Sequence, residues 1–317
     1  MENKVKIISM DTVEVEEIKW LWKPYIPFGK LTIIQGDPGE GKTTFALHVA
    51  ALLSQGKRFD GNAEPFEPVN VIYQTAEDGL SDTVKPRLIS AGADCSKIKV
   101  IDDNEKSLSM DDERLEIAIK ETGAKLLILD PLQAYLGDRI DMNRANEARE
   151  MTKKLGALAE RTGCAVVLIG HMNKGSGSKA AYRGIGSIDF YAIARSVLLV
   201  AKVPQDPNIR AVAQIKSNLA AEGDTVAFRL DENGFTWIGE YDVSADELLA
   251  GYSNSDKHKA AEDFLKKILS NGQTVPASTI FAQAKSIGVS KRTLENVKQE
   301  LAIKSIKDGA SWLWKMD

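Results

Sequence analysis

Eight consecutive residues, Gly36-Asp37-Pro38-Gly39-Glu40-Gly41-Lys42-Thr43, constrain this chain more than any other feature. They spell G-x-x-x-x-G-K-T. The apolar run Leu31-Thr32-Ile33-Ile34 precedes them and Phe45-Ala46-Leu47-His48-Val49-Ala50 follows, so a strand enters the loop and a helix leaves it. That context separates a phosphate-binding loop from a chance glycine-rich turn. Glycines let backbone N–H groups approach phosphate closely. The helix N-terminus adds partial positive charge, and Lys42 neutralises the β- and γ-phosphates. Thr43 is placed to hold Mg²⁺, and Thr44 extends the nucleotide contacts. ATP and Mg are therefore the expected cofactors.

Around the loop, strand-like and helix-like runs alternate from about residue 30 to 200. The strands read Leu31–Gln35, Val69–Gln74, Ile98–Asp102, Leu126–Asp130 and Ala165–Gly170, with helical patterns at about 43–55, 81–92, 111–122 and 143–162. The strands are unbroken Val/Ile/Leu runs, the mark of a parallel sheet covered on both faces. The fold class is α/β with right-handed crossovers. After about 195 the pattern changes. Ser196–Val203, Ile209–Lys216, Thr225–Leu230 and Phe235–Gly239 follow one another with short turns, an antiparallel extension of the sheet.

Next comes the polar stretch Tyr252-Ser253-Asn254-Ser255-Asp256, a linker. Helices at about 257–270, 276–287 and 290–302 follow. Then Ile303–Ile306 and Ser311–Lys315 flank the turn signal Asp308-Gly309. Three helices and a hairpin in so short a stretch read as a winged helix-turn-helix. The expected organisation is an arm over 1–27, an ATPase domain over 28–243, a linker over 244–256 and a winged helix domain over 257–317.

Composition narrows the partners. The 317 residues are 43% hydrophobic and 27% charged, ordinary for a globular chain. No apolar run approaches a membrane span, and no secretory leader is expected. Cys95 and Cys164 have no metal spacing, which suits a reducing cytoplasm. The net charge of −4 speaks against a nucleic-acid partner. Its distribution speaks for one. Residues 257–315 hold 11 Lys/Arg and 5 Asp/Glu, a net +6, against 30 and 39, a net −9, over residues 1–256. A basic tail on an acidic body suits a tethered nucleic-acid module, and equally a lysine-rich soluble domain.

Further residues join the loop. Leu126-Leu127-Ile128-Leu129-Asp130 is an apolar strand ending in an acid that can orient the Mg²⁺ shell. Pro131 follows Asp130, so that strand supplies no general base. Glu77, after the strand Val71-Ile72-Tyr73-Gln74-Thr75, sits where the adjacent strand would end and can polarise an attacking water. Asp78 supports it. The loop from Asn173 to Ser187 carries four Gly with Lys174, Lys179 and Arg183, and suits a single nucleic-acid strand. Arg195 starts a strand and could complete a neighbouring copy's site as an arginine finger. Lys216 is a second cation with the same reach, and strand-end cations are often only solvated. Ser290-Lys291-Arg292-Thr293-Leu294 could open a recognition helix, with Lys291 and Arg292 towards DNA.

Taken together these pieces resemble the RecA/DnaB-type ATPases, and within them the RepA-like hexameric helicases of plasmids, phages and mobile elements. The resemblance rests on Trp20-Leu21-Trp22-Lys23-Pro24-Tyr25-Ile26-Pro27-Phe28-Gly29, the phosphate loop, Thr75-Ala76-Glu77-Asp78, Leu129-Asp130-Pro131-Leu132, Asp141-Met142-Asn143, Gly170-His171-Met172-Asn173-Lys174, and Arg183-Gly184 through Arg195. It covers about residues 15–240. It implies a RecA-like fold with ATP held between copies in a ring, probing DNA through basic loops. By position it casts Lys42 and Thr43 as phosphate and Mg²⁺ ligands, Glu77 as base, Asp130 as second Mg²⁺ acid, His171 as γ-phosphate sensor and Arg195 as finger. The implied function is a DNA helicase. Two alternatives stay open: a protein that binds or loads onto single-stranded DNA without unwinding it, and a DNA-binding regulator controlled by ATP. The winged helix could meet duplex DNA or a protein.

Overall fold

The structure is a computed structural model. It describes residues 7–58, 66–136, 145–171, 188–203, 206–232, 234–249, 254–286, 289, 291–308 and 311–316. Among them the chain forms, in order, β1 (Trp20–Trp22), β2 (Ile26–Pro27), β3 (Leu31–Gly36), α1 (Lys42–Ser54), β4 (Val71–Thr75), α2 (Lys85–Ser90), β5 (Ile98–Lys99), α3 (Glu113–Thr122), β6 (Leu126–Asp130), α4 (Ala145–Thr162), β7 (Ala165–His171), α5 (Ile188–Ile193) and β8 (Ser196–Val203). Then follow β9 (Asp206–Ser217), β10 (Val226–Asp231), β11 (Gly234–Glu240), α6 (Ala245–Leu249), α7 (Asn254–Ile268), β12 (Thr274–Pro276), α8 (Ala277–Ser286), α9 (Lys291–Glu300), β13 (Lys304–Asp308) and β14 (Ser311–Lys315).

Nine strands form one sheet in the order β11-β10-β9-β8-β3-β7-β6-β4-β5. The six from β8 to β5 run parallel. Every residue of β3 and β6 is buried, as unbroken apolar strands require when helices cover both faces. Alternate residues serve alternate faces. Leu31, Ile33, Ile72, Leu127, Leu129, Val166 and Leu168 join one core cluster with Leu115 and Ile119 of α3 and Leu155 and Leu158 of α4. The opposite face, with α1 packed on β3, β4 and β6, receives Tyr73, Ile128 and Asp130. Strands β8 to β11 are consecutive in chain and sheet. The connections β8–β9 and β10–β11 are too short for a crossover and must turn back antiparallel.

Two differences from the sequence expectations have physical causes. The strand expected over Ile98–Asp102 stops at Lys99, because the buried Gln74 side chain takes over the pairing. Its Nε2 donates to Ile101 O at 3.0 Å and its Oε1 accepts from Ile101 N at 3.0 Å. The stretch expected as a linker carries the short helix α6, whose Ser244 hydroxyl and Glu247 carboxylate cap its start.

The chain divides into two compact units. One is Met1–Val200 with Val212–Asp224 and Leu230–Phe235, and the other is Ala201–Ala211, Thr225–Arg229 and Thr236–Asp317. Within the second, α7, α8 and α9 enclose their own core of Ala261, Leu265, Leu269, Ile280, Ala284, Val289, Leu294, Val297, Ile303 and Trp314. A three-stranded sheet β12-β14-β13 closes it. Among the described residues no helix is long and apolar enough to cross a membrane.

Candidate nucleotide site

The C-terminal ends of β3, β4, β6 and β7 converge on one edge of the sheet, where open parallel sheets bind ligands. Gly36 closes β3 opposite His171 of β7, and Thr75 of β4 pairs with Asp130 of β6. The loop between β3 and α1 therefore opens beside Asp130.

Each loop glycine has its own reason. A Cβ on Gly36 would lie 2.1 Å from Val200 O. Close approach of β8, rather than of a phosphate, demands this glycine. Gly39 and Gly41 have φ of +78° and +92°, a left-handed backbone that L side chains disfavour. Asp37, Pro38 and Gly39 are exposed, while Glu40 and Gly41 are half-buried. The loop tip faces solvent and its base sits in the fold. Gly41 caps α1, accepting from Phe45 N at 2.9 Å.

Lys42 is buried at 5% exposure. Its Nζ donates to Gly36 O at 2.9 Å and to Asp37 O at 2.8 Å. Burial lowers its pKa, and Asp130, Glu40, Asp37 and Glu77 oppose that shift by charge. Thr43 Oγ1 donates to Asp130 Oδ2 at 2.7 Å. Asp130, 7% exposed, is pushed above the usual carboxylate range, first by burial. The Thr43 and Tyr73 hydrogen bonds act against that rise, and Glu77 and Asp78 add to it. A hydroxyl and a buried carboxylate in contact are hard oxygen donors, the set Mg²⁺ prefers, and a cation would relieve the crowding of acids. The residues fit the ion.

Glu77 lies two residues beyond the end of β4 and is exposed. Its carboxylate has no hydrogen-bond or ion-pair partner among the described residues. Asp78 instead pairs with Arg87 at 2.8 Å. Ala76 N donates to Asp130 O at 3.2 Å, which carries the β4–β6 ladder one step further. His171 ends β7 half-buried, paired in register with Gly36, and its Nδ1 is buried without a partner among the described residues.

Arg195 stands elsewhere. Its N donates to Leu31 O at 2.9 Å, so it lies at the start of β3, and its side chain is exposed. Leu31 and Gly36 stand five residue steps apart along β3, about 17 Å at roughly 3.3 Å per residue. Lys216 comes to the same edge, since Asn218 N donates to Arg195 O at 3.0 Å. The Lys216 ammonium is engaged by the end of α5. It donates to Tyr191 O at 2.6 Å and Ala192 O at 3.1 Å, and lies 4.9 Å from the Tyr191 ring centroid. Burial, then the charge of Arg195, lowers its pKa. Sequence reading did not foresee this helix-capping task, because α5 and β9 are distant in the chain.

Lys174, Lys179 and Arg183, with Asp141-Met142-Asn143, lie outside the described residues. Lys291 opens α9, exposed, with its ammonium 4.9 Å from the Phe281 ring centroid. The Arg292 side chain is outside the described set.

One residue of the site escaped the sequence. Tyr73, fully buried in β4, donates its hydroxyl to Asp130 Oδ2 at 2.9 Å. A tyrosine inside an apolar strand reads as core. The only signal was parity, since Tyr73 and Thr75 share a face and Thr75 pairs with Asp130.

Residues 3–177, more than half of the chain, match the AAA_25 family, described as an AAA domain. The chain is 30% identical over 149 residues to the DNA repair protein RadA of Halalkalibacterium halodurans, covering 46% of this chain and 28% of that protein. It is 24% identical over 230 residues to RadA of Bacillus subtilis, covering 72% and 45%. The chain thus spans less than half the length of these curated relatives. Among solved structures it resembles a KaiC-like protein of Pyrococcus horikoshii (TM-score 0.50, 18% identity, 70% of this chain and 99% of that one). It also resembles a DnaB-like replicative helicase (TM-score 0.51, 16% identity, 67% and 58%). Sheet order, phosphate loop and these likenesses agree on a RecA-like core, and the chain belongs to the AAA_25 family of AAA domains.

Proposed function

We propose that this chain is an Mg²⁺-dependent ATP hydrolase that assembles head-to-tail into a ring and works on DNA, as a helicase of the RepA-like kind. The observation that carries the reading is the split between two sheet edges. Lys42, Thr43, Asp130 and Glu77 gather at one, and Arg195 projects from the other, about 17 Å away by strand rise. Arg195 cannot reach its own phosphate loop along that strand. A head-to-tail contact brings one copy's edge to the next copy's loop, and rings form when the rotation closes. The RadA relatives, named for DNA repair, support DNA as the partner.

In this reading, loop N–H groups and Lys42 hold the phosphate oxygens. Thr43 and Asp130 hold Mg²⁺, which when bound spreads the phosphate charge. Glu77 takes a proton from water as that water bonds to the γ-phosphorus. The bond to the β-phosphate oxygen breaks and ADP leaves. His171, with a free ring nitrogen beside Gly36, senses the γ-phosphate. Arg195 of a neighbouring copy stabilises the transferring group. DNA runs along Lys174, Lys179 and Arg183, and the 257–317 module, read as a winged helix, adds Lys291 and Arg292.

The test is ATP hydrolysis with and without single-stranded DNA, with mass measured on the same sample, followed by displacement from a forked duplex. A ring with DNA-stimulated hydrolysis and displacement is expected. A monomer with no DNA response overturns the ring reading, and stimulation without displacement favours a loader. Lys42→Ala is expected to abolish turnover, and Arg195→Ala to abolish it while ATP still binds. Retained turnover in either variant removes that residue from the mechanism.

A further inference from the structure

Asp130 holds its two donors through one oxygen. Thr43 Oγ1 and Tyr73 Oη both donate to Oδ2, at 2.7 and 2.9 Å. Thr43 comes from the first turn of α1, and Tyr73 from β4, the strand that leads into Glu77. Tyr73 is fully buried, so its ring cannot leave without opening the sheet, and among the described residues Asp130 is the acceptor its hydroxyl has. We propose that Tyr73 is a positioning residue of the phosphate-loop site: its hydroxyl fixes the Asp130 carboxylate in the orientation that receives the divalent cation. The proposal rests on the nucleotide reading given above. A carboxylate held by the loop threonine alone can still rotate about its Cβ–Cγ bond. A second donor from β4 on the same oxygen opposes that rotation, and the remaining oxygen keeps one direction. Partners behind a metal ligand act in this way, by removing alternatives rather than by touching the ion. The same bond ties the metal acid to β4, the strand that leads into Glu77.

The test uses the full chain and Tyr73→Phe, which keeps the ring and its packing. Mn²⁺ is titrated into protein with ADP and followed by the loss of the free-ion EPR signal. ADP affinity is measured separately in EDTA. A positioning role predicts Mn²⁺ affinity lower by on the order of tenfold, with metal-free ADP affinity unchanged. A purely structural tyrosine would lower the urea midpoint and leave Mn²⁺ affinity where it was, and that outcome overturns the proposal. Wild-type chain that binds ADP in EDTA but takes up no Mn²⁺ overturns it as well and leaves the phosphate loop standing. Wild-type chain that binds no ADP sinks the nucleotide reading itself.

Discussion

Two loop glycines that look alike in sequence differ sharply in cost of replacement. Gly36→Ala places a methyl 2.1 Å from Val200 O, a backbone atom of a central strand. Neither strand can shift without disturbing the parallel ladder, so the loss should reach about 3 kcal/mol, the upper range for overpacking. Gly39→Ala meets nothing within 4 Å and has only the φ of +78° to bear, about 1–2 kcal/mol. Urea unfolding of both variants without nucleotide checks this, and equal losses would mean that β8 does not approach Gly36 as described. The phosphate loop was legible because backbone conformation and residue type are tightly linked there. The separate duty of Gly36 was not, since the strand that crowds it lies far along the chain. Tyr73 stayed hidden for the same reason. Nothing local distinguishes a tyrosine that fills a core from one that also holds a carboxylate.

Whole elements were read best where one physical rule dominated. β6 and β14 have the expected bounds because both end at charged or turn residues and carry unbroken or alternating apolar side chains. β5 was shortened by a side chain, Gln74, that imitates a backbone amide. β12 was missed because three residues give no period. The last strand shows how far periodicity reaches. Trp312 and Trp314 share a face by alternation. Trp314 is 3% exposed, edge-on to Phe281 at 5.3 Å and 4.6 Å below the Lys298 ammonium. Trp312, opposite Lys307, is 54% exposed. Alternation sets direction, but the neighbouring helices set burial. Trp314→Ala should cost about 3–5 kcal/mol, as for other buried aromatics. Trp312→Ala should stay within about 0.5 kcal/mol. Denaturant unfolding followed by circular dichroism compares them, and a large loss at Trp312 would contradict its exposure.

At the scale of the molecule, the proposal stands on one edge of the sheet carrying what the other lacks. A shared site makes a prediction that a self-contained site cannot. Lys42→Ala keeps Arg195, and Arg195→Ala keeps the phosphate loop. Each alone should be inactive. Mixed and reassembled one to one, they create interfaces where the loop of an Arg195→Ala copy meets the arginine of a Lys42→Ala copy. Random assembly in a head-to-tail ring makes this pairing at about a quarter of interfaces, because each member is drawn independently. Hydrolysis should therefore recover towards about a quarter of the wild-type rate per site, the other pairings lacking one half or both. The mixed sample must show assembled mass before its rate is read. Recovery would place loop and arginine on different copies. Assembled mixtures with no recovery would return Arg195 to the role of a solvated strand-end cation, beside a Lys216 already held by the end of α5.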